Sequence, residues 1–302
     1  MVLLLLCFLW SLDSLQSDLP RNLTLHPLPP MEKQAVPFAL LAVTAALFAL
    51  VRRTDWPRGR RLLPPLLVGL GLFVAPAVLV SLSSKWVPEL ARVALFSLAP
   101  VFAVVLEPYI GHVAGTRRRD GLPSALAAVV GTLCIFPVEI PRSLEGGVAF
   151  GAVILAVACV AAANCQAVRV VIRTPGKPVA SLAAIAGATA AVGLAAASVL
   201  VEQPFLTWSA LTPELAWSAA IELPGLLLLF WLMRRMSAAR MTTRFVLAPF
   251  MALLIGAVAM HPSLTLRTWL GMFLIGAGVG WLLLAAEVEP EESALPLNLD
   301  RR

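Results

Sequence analysis

The chain alternates long apolar runs with short polar or basic interruptions. Spanning a bilayer as a helix takes about 20 mostly apolar residues. By that measure ten segments qualify, near 2–17, 35–51, 62–82, 90–111, 122–141, 147–168, 179–200, 216–233, 244–260 and 267–286. The first is interrupted by Asp13. Each run is about twice the length of a membrane barrel strand, and backbone groups in lipid must be satisfied within the segment. The pattern therefore predicts an all-α polytopic membrane bundle.

Composition supports that reading. Only 13% of the 302 residues are charged and 60% are hydrophobic, whereas a water-soluble domain carries about 25% charge. An ordinary soluble enzyme is excluded, and so is a disordered chain. Val2 to Trp10 has neither a basic start nor a small-x-small cleavage site, so it reads as the first membrane helix and not as a signal peptide.

Net charge is +6, and 20 of the 23 basic residues are arginine. They lie in short clusters between apolar runs without interleaved aromatics, which argues against nucleic acid. Their distribution speaks instead to orientation, because cytoplasmic loops collect Lys and Arg. The loops after helices two, four, six and eight, with the C-terminal tail, hold 17 basic residues against six elsewhere. Arg244 is among the 17. Both termini are thus expected in the cytoplasm. Cys7, Cys134, Cys159 and Cys165 lie in apolar segments without metal-ligand spacing, so neither a metal nor another cofactor is expected.

The segment Phe96–Ala103 reads FSLAPVFA and Phe245–Ala252 reads FVLAPFMA, with five of eight positions identical at an offset of 149. The same offset carries Gly131 onto Gly280, and two copies fill the chain. Five helices per copy is an odd number, which inverts the second copy relative to the first. Inverted repeats of this kind build many secondary transporters, with the substrate site near the midplane between halves. The halves are expected at 1–142 and 147–286, followed by a cytoplasmic tail at 287–302.

With these features the chain resembles the drug/metabolite transporter superfamily, specifically its EamA-type members. The resemblance rests on Leu98-Ala99-Pro100-Val101-Phe102 and Leu247-Ala248-Pro249-Phe250 in the fourth helix of each unit. It rests also on Gly271, Gly276, Gly278 and Gly280 in the last helix, on Trp10, and on Pro29-Pro30 before the second helix. It implies a tandem five-helix fold and transport, without a substrate.

Ionisable groups inside spans are costly and therefore candidates for function. Asp13 and Gln16 share a helix face, suited to binding an amine or exchanging a proton, unless the helix ends there and both are wet. Glu222 precedes Pro224 and is a gate or proton-site candidate, or else a carboxylate reaching the outer interface. Asn164 lies in an apolar run, where it either meets a ligand or bonds a neighbouring helix. Pro100 and Pro249 recur in both copies, and proline bends line cavities, act as hinges or simply shape the bundle. Trp10 completes the set through the resemblance. Glu107 reads as an interfacial ion pair with Arg117 to Arg119.

The function expected from this reading is secondary transport of a small metabolite or drug-like solute. Export by alternating access is expected, driven by a proton or solute gradient across a bacterial inner membrane. A lipid or lipid-linked headgroup flippase of the same fold is the alternative. The chain lacks a nucleotide-binding loop and hydrolase motifs, so it is not read as an enzyme. Its expected partners are a small-molecule substrate, the lipid bilayer and a second copy as a homodimer.

Overall fold

A computed structural model gives the fold and describes residues 1–18, 28–110, 121–136, 138–139, 141–172, 179–202, 208–260 and 265–284. Among these residues every regular element is helical. The rods are α1 (Val2–Asp18), α2 (Pro30–Val51), α3 (Gly59–Ser83), α4 (Glu89–Ile110) and α5 (Gly121–Ile135). Then come α6 (Leu144–Ile172), α7 (Ala180–Val201), α8 (Trp208 through Leu232), α9 (Ala238–Thr242 and Arg244–Met260) and α10 (Leu266–Leu284). Eight are long and apolar enough to cross a membrane, while α1 and α5 are shorter apolar helices.

The packing is that of a membrane bundle. Large apolar side chains such as Leu47, Leu155, Val192, Phe273 and Trp281 point outward. Much of the interior is built from small residues, Ala186 and Ala190 in α7 and Ala156, Ala161 and Ala167 in α6 among them. Lipid tails are as apolar as leucine, so burial alone does not bring helices together; close van der Waals approach does. Helix α2 packs along α7, α5 along α10, and α1 against α8 and α9, while α3 and α4 both lie on α6. A single large core joins Leu6, Leu41, Val68, Leu229, Met241 and Ile275, drawn from both ends of the chain.

Four departures from regular helix shape the bundle. In α3, Leu70–Val74 is a π-turn, and in α8 Ser218–Glu222 is another. Each is followed two residues later by a proline, Pro76 and Pro224. A proline donates no N–H and its ring crowds the carbonyl four residues back; an extra residue in that turn relieves the crowding. Helix α4 breaks at Ser97–Leu98 and α9 at Thr243. At both breaks a buried hydroxyl bonds backward, Ser97 Oγ to the Ala94 carbonyl and Thr243 Oγ1 to the Arg240 carbonyl, each at 2.6 Å. Such back-bonding bends helices.

The structure revises two spans. The eighth begins at Trp208 and not near 216. Glu222 therefore lies 14 residues in, about 21 Å along the axis at 1.5 Å per residue. That depth is near the middle of the helix, deeper than a start near 216 would place it. Helix α1 runs on through Asp18, so it does not end at Asp13.

Candidate functional site: a buried arginine in the helical core

The break in α9 leads directly into Arg244, and this arginine is the centre of the candidate site. It is 1% exposed. Counting it as a loop charge was a misreading, and without it the basic residues divide sixteen to six. Its Nη1 donates to Asn164 Oδ1 of α6 at 3.1 Å and to the Met241 carbonyl at 3.0 Å. Its Nε has no hydrogen-bond partner. No carboxylate pairs with it among the described residues.

Two aromatic faces flank the guanidinium. Its Cζ lies 4.6 Å from the ring centroid of Phe245 and 5.2 Å from that of Trp10. A desolvated cation over an aromatic face gains about 2 kcal/mol. Phe245 in turn meets Phe96 of α4, with centroids 5.6 Å apart. Trp10 also lies near Phe245, at 6.4 Å. Room for the indole comes from Gly225 in α8, where a Cβ would sit 3.3 Å from Trp10 Nε1.

Asn164 positions the cation. Its Nδ2 donates to the Val160 carbonyl at 2.7 Å, which fixes the amide so that Oδ1 faces Arg244. Ser11 Oγ ties α1 to α9, lying 2.7 Å from its own Cys7 carbonyl and 2.8 Å from the Ala248 carbonyl.

The residues anticipated from sequence are only partly gathered here. Trp10 and Asn164 touch Arg244. Pro249 stands four residues after Phe245 inside the same helix and denies the Phe245 carbonyl its helical donor. Pro100 is buried at the second position of the segment that resumes after the α4 break, where a missing N–H is unneeded. Glu222 belongs to the α8 π-turn and accepts a short hydrogen bond from the buried Ser218 hydroxyl; it lies three residues before Gly225. The side chains of Asp13 and Gln16 lie outside the described residues, as do Arg117 to Arg119.

Glu107 is buried, and its Oε1 accepts from the Ala238 N–H at 3.2 Å, capping the first segment of α9 from α4; the ion pair expected with Arg117 to Arg119 falls on residues outside those described. Arg244 itself was missed, because its position at the edge of an apolar run is where arginines ordinarily snorkel to water. The cue was its place one residue before the repeated segment. Among the described residues no cluster of histidine, cysteine or carboxylate side chains is arranged to hold a metal.

No family model and no curated protein matches this chain. Solved structures do. One, named only as the crystal structure of a protein, is 18% identical and superposes with a TM-score of 0.73 over 94% of this chain and 98% of that one. At such identity the likeness concerns fold alone: the same arrangement extends over nearly the full length of both chains.

Proposed function

We propose that this chain is a secondary transporter built from two inverted five-helix repeats, of the EamA-like drug/metabolite type. In this reading it exports a small metabolite or drug-like solute across a bacterial inner membrane by alternating access. A proton or solute gradient drives the cycle, and both termini are cytoplasmic.

The observation that carries the proposal is the recurrence of irregular features at one offset. Helices α3 and α8 begin 149 residues apart and end 149 apart. Their π-turns begin 148 apart. Helices α2 and α7 begin 150 apart, and α4 and α9, both broken, begin 149 apart. Helix ends depend on loop composition and π-turns on local proline chemistry, so agreement among them supports a duplicated unit better than a recurring eight-residue motif does. Residues related by a two-fold axis touch each other only on that axis. The contact between Phe96 and Phe245, 149 positions apart, supports such an axis running beside Arg244. Discontinuous helices meeting at a repeat interface are where transporters of this architecture hold substrate.

The test is flux. Purified protein in liposomes should move a solute from a metabolite panel when a proton or solute gradient is imposed, and Glu222→Gln should remove the pH dependence of that flux while the protein still folds. No flux of any solute under either gradient overturns the proposal. Flux unchanged in Glu222→Gln removes that carboxylate from the coupling step.

A further inference from the structure

We propose that Arg244 anchors the carboxylate of an organic monoanion with a flat or apolar body, held between the two halves of the bundle. The inference rests on the transport reading for its biological setting, but the site itself stands on the geometry of Arg244.

A cation in a dry interior is costly unless its charge is met. The groups around Arg244 hold it without neutralising it. Asn164 and the Met241 carbonyl supply dipoles to Nη1, and Phe245 and Trp10 supply ring faces. A guanidinium presents five N–H donors in a fixed fork. With both Nη1 protons committed, Nε is left buried without a partner on the side of the fork away from Nη1. That side matches the two oxygens of a carboxylate, which arginine binds through parallel hydrogen bonds.

The rest of the environment narrows the class. Arg244 is the one basic residue among the buried side chains described, so a single negative charge balances the site and a dianion would leave one charge unmet. Phe245 and Trp10 face it, and Phe96 lies against Phe245, so the surroundings offer rings to an apolar body. The arginine follows the α9 break, and irregular backbone at membrane depth is tolerated where it is buried in protein or lines a cavity. A brace between α6 and α9 would need no such setting, and a carboxylate at position 164 would serve it better than the amide present.

Position 164 also supplies the discriminating variant. Asn164→Asp places a carboxylate at the oxygen that already lies 3.1 Å from Nη1, with no change in side-chain volume. It satisfies the arginine internally and therefore competes with any bound anion. The experiment uses the full chain in lipid nanodiscs and measures binding of benzoate, phenylacetate and hexanoate by calorimetry, with benzamide and benzylamine as neutral and cationic counterparts.

The expected result is saturable binding of at least one carboxylate by the wild type and none of benzamide or benzylamine. Affinity should fall roughly 30-fold or more in Arg244→Gln and less in Arg244→Lys, which keeps the charge and loses the fork. Asn164→Asp should lose the carboxylate response. The inference is overturned if no carboxylate binds the wild type more tightly than benzamide. Undiminished carboxylate binding in Asn164→Asp or in a folded Arg244→Gln overturns it equally. In liposomes the two proposals separate: carboxylate binding without flux of any solute leaves the anion site and removes transport, whereas flux of a neutral or cationic solute with no carboxylate binding does the reverse.

Discussion

Two glycines two positions apart in α10 separate packing from propensity. A Cβ at Gly278 would lie 2.6 Å from the Ser124 carbonyl and 2.7 Å from the Ala128 nitrogen of α5, against backbone that cannot swing aside. A Cβ at Gly280 would meet nothing within 4 Å. Gly278→Ala should therefore push α5 and α10 apart and destabilise by about 1–3 kcal/mol, the usual range for overpacking. Gly280→Ala should be neutral or stabilising by about 0.5–1 kcal/mol, since alanine loses less backbone entropy in a helix. Thermal unfolding of the two variants in detergent checks both signs, and equal shifts would sink the distinction. The glycine-rich run in α10 was visible in sequence, but which glycines touch a neighbour depends on the face presented to α5. Arg244 was illegible for a related reason. An arginine ending a polar loop and one entering a core look alike until packing decides, whereas Asn164, in the middle of a 29-residue apolar helix, announced itself.

At the scale of the element, the apolar runs located the helices well, and the errors fall where proline chemistry intervenes. Helix α8 starts earlier than its hydropathy suggests, because Thr212, Pro213 and Glu214 dilute its first turns without ending it. Glu214 stays near Lys33 of α2, at 4.0 Å, which ties that polar end to its neighbour. Pro100 and Pro249 looked equivalent from the shared motif, yet one sits at a segment start and the other inside a helix. This difference yields a prediction. Pro249→Ala restores a donor to the Phe245 carbonyl and straightens α9 beside Arg244, while Pro100→Ala adds an N–H at the start of a helical segment, where none is needed. If the α9 bend is a hinge of alternating access, Pro249→Ala should keep or raise thermal stability and lower the maximal transport rate with apparent affinity retained, and Pro100→Ala should change the rate less. An unchanged rate in Pro249→Ala makes the bend a fixed feature of shape.

For the whole molecule, orientation turns on which side each loop faces, and the first and last five helices bear on it jointly. Their contacts are interleaved: α1 lies on α8 and α9, α2 on α7, and α5 on α10. The main core is shared by helices from both ends of the chain. Eight of the ten rods are long and apolar enough to cross, and the side on which each later loop lies turns on whether the shorter α5 crosses too. A missed crossing at α5 would put the segment near Ser143 on the same side as the end of α4 and reverse every later loop. The charge distribution argues against that, because the sixteen basic residues stay on one side only when α5 crosses; it says nothing of α1, whose removal leaves every other loop in place. Single cysteines introduced at Arg58, Ser143, Arg235 and Thr265 decide the matter. The native Cys7 and Cys165 are buried, and Cys134 and Cys159 are half-buried, so background labelling by a membrane-impermeant maleimide should be low. With ten crossings and cytoplasmic termini, cysteines at 143 and 265 should react in intact cells, and those at 58 and 235 only after permeabilisation. Labelling of 58 and 143 from the same side would remove an odd number of crossings between them and with it the inversion of the second half. Agreement at all four sites would leave Arg244 where the transport reading needs it, at the seam between two oppositely oriented units.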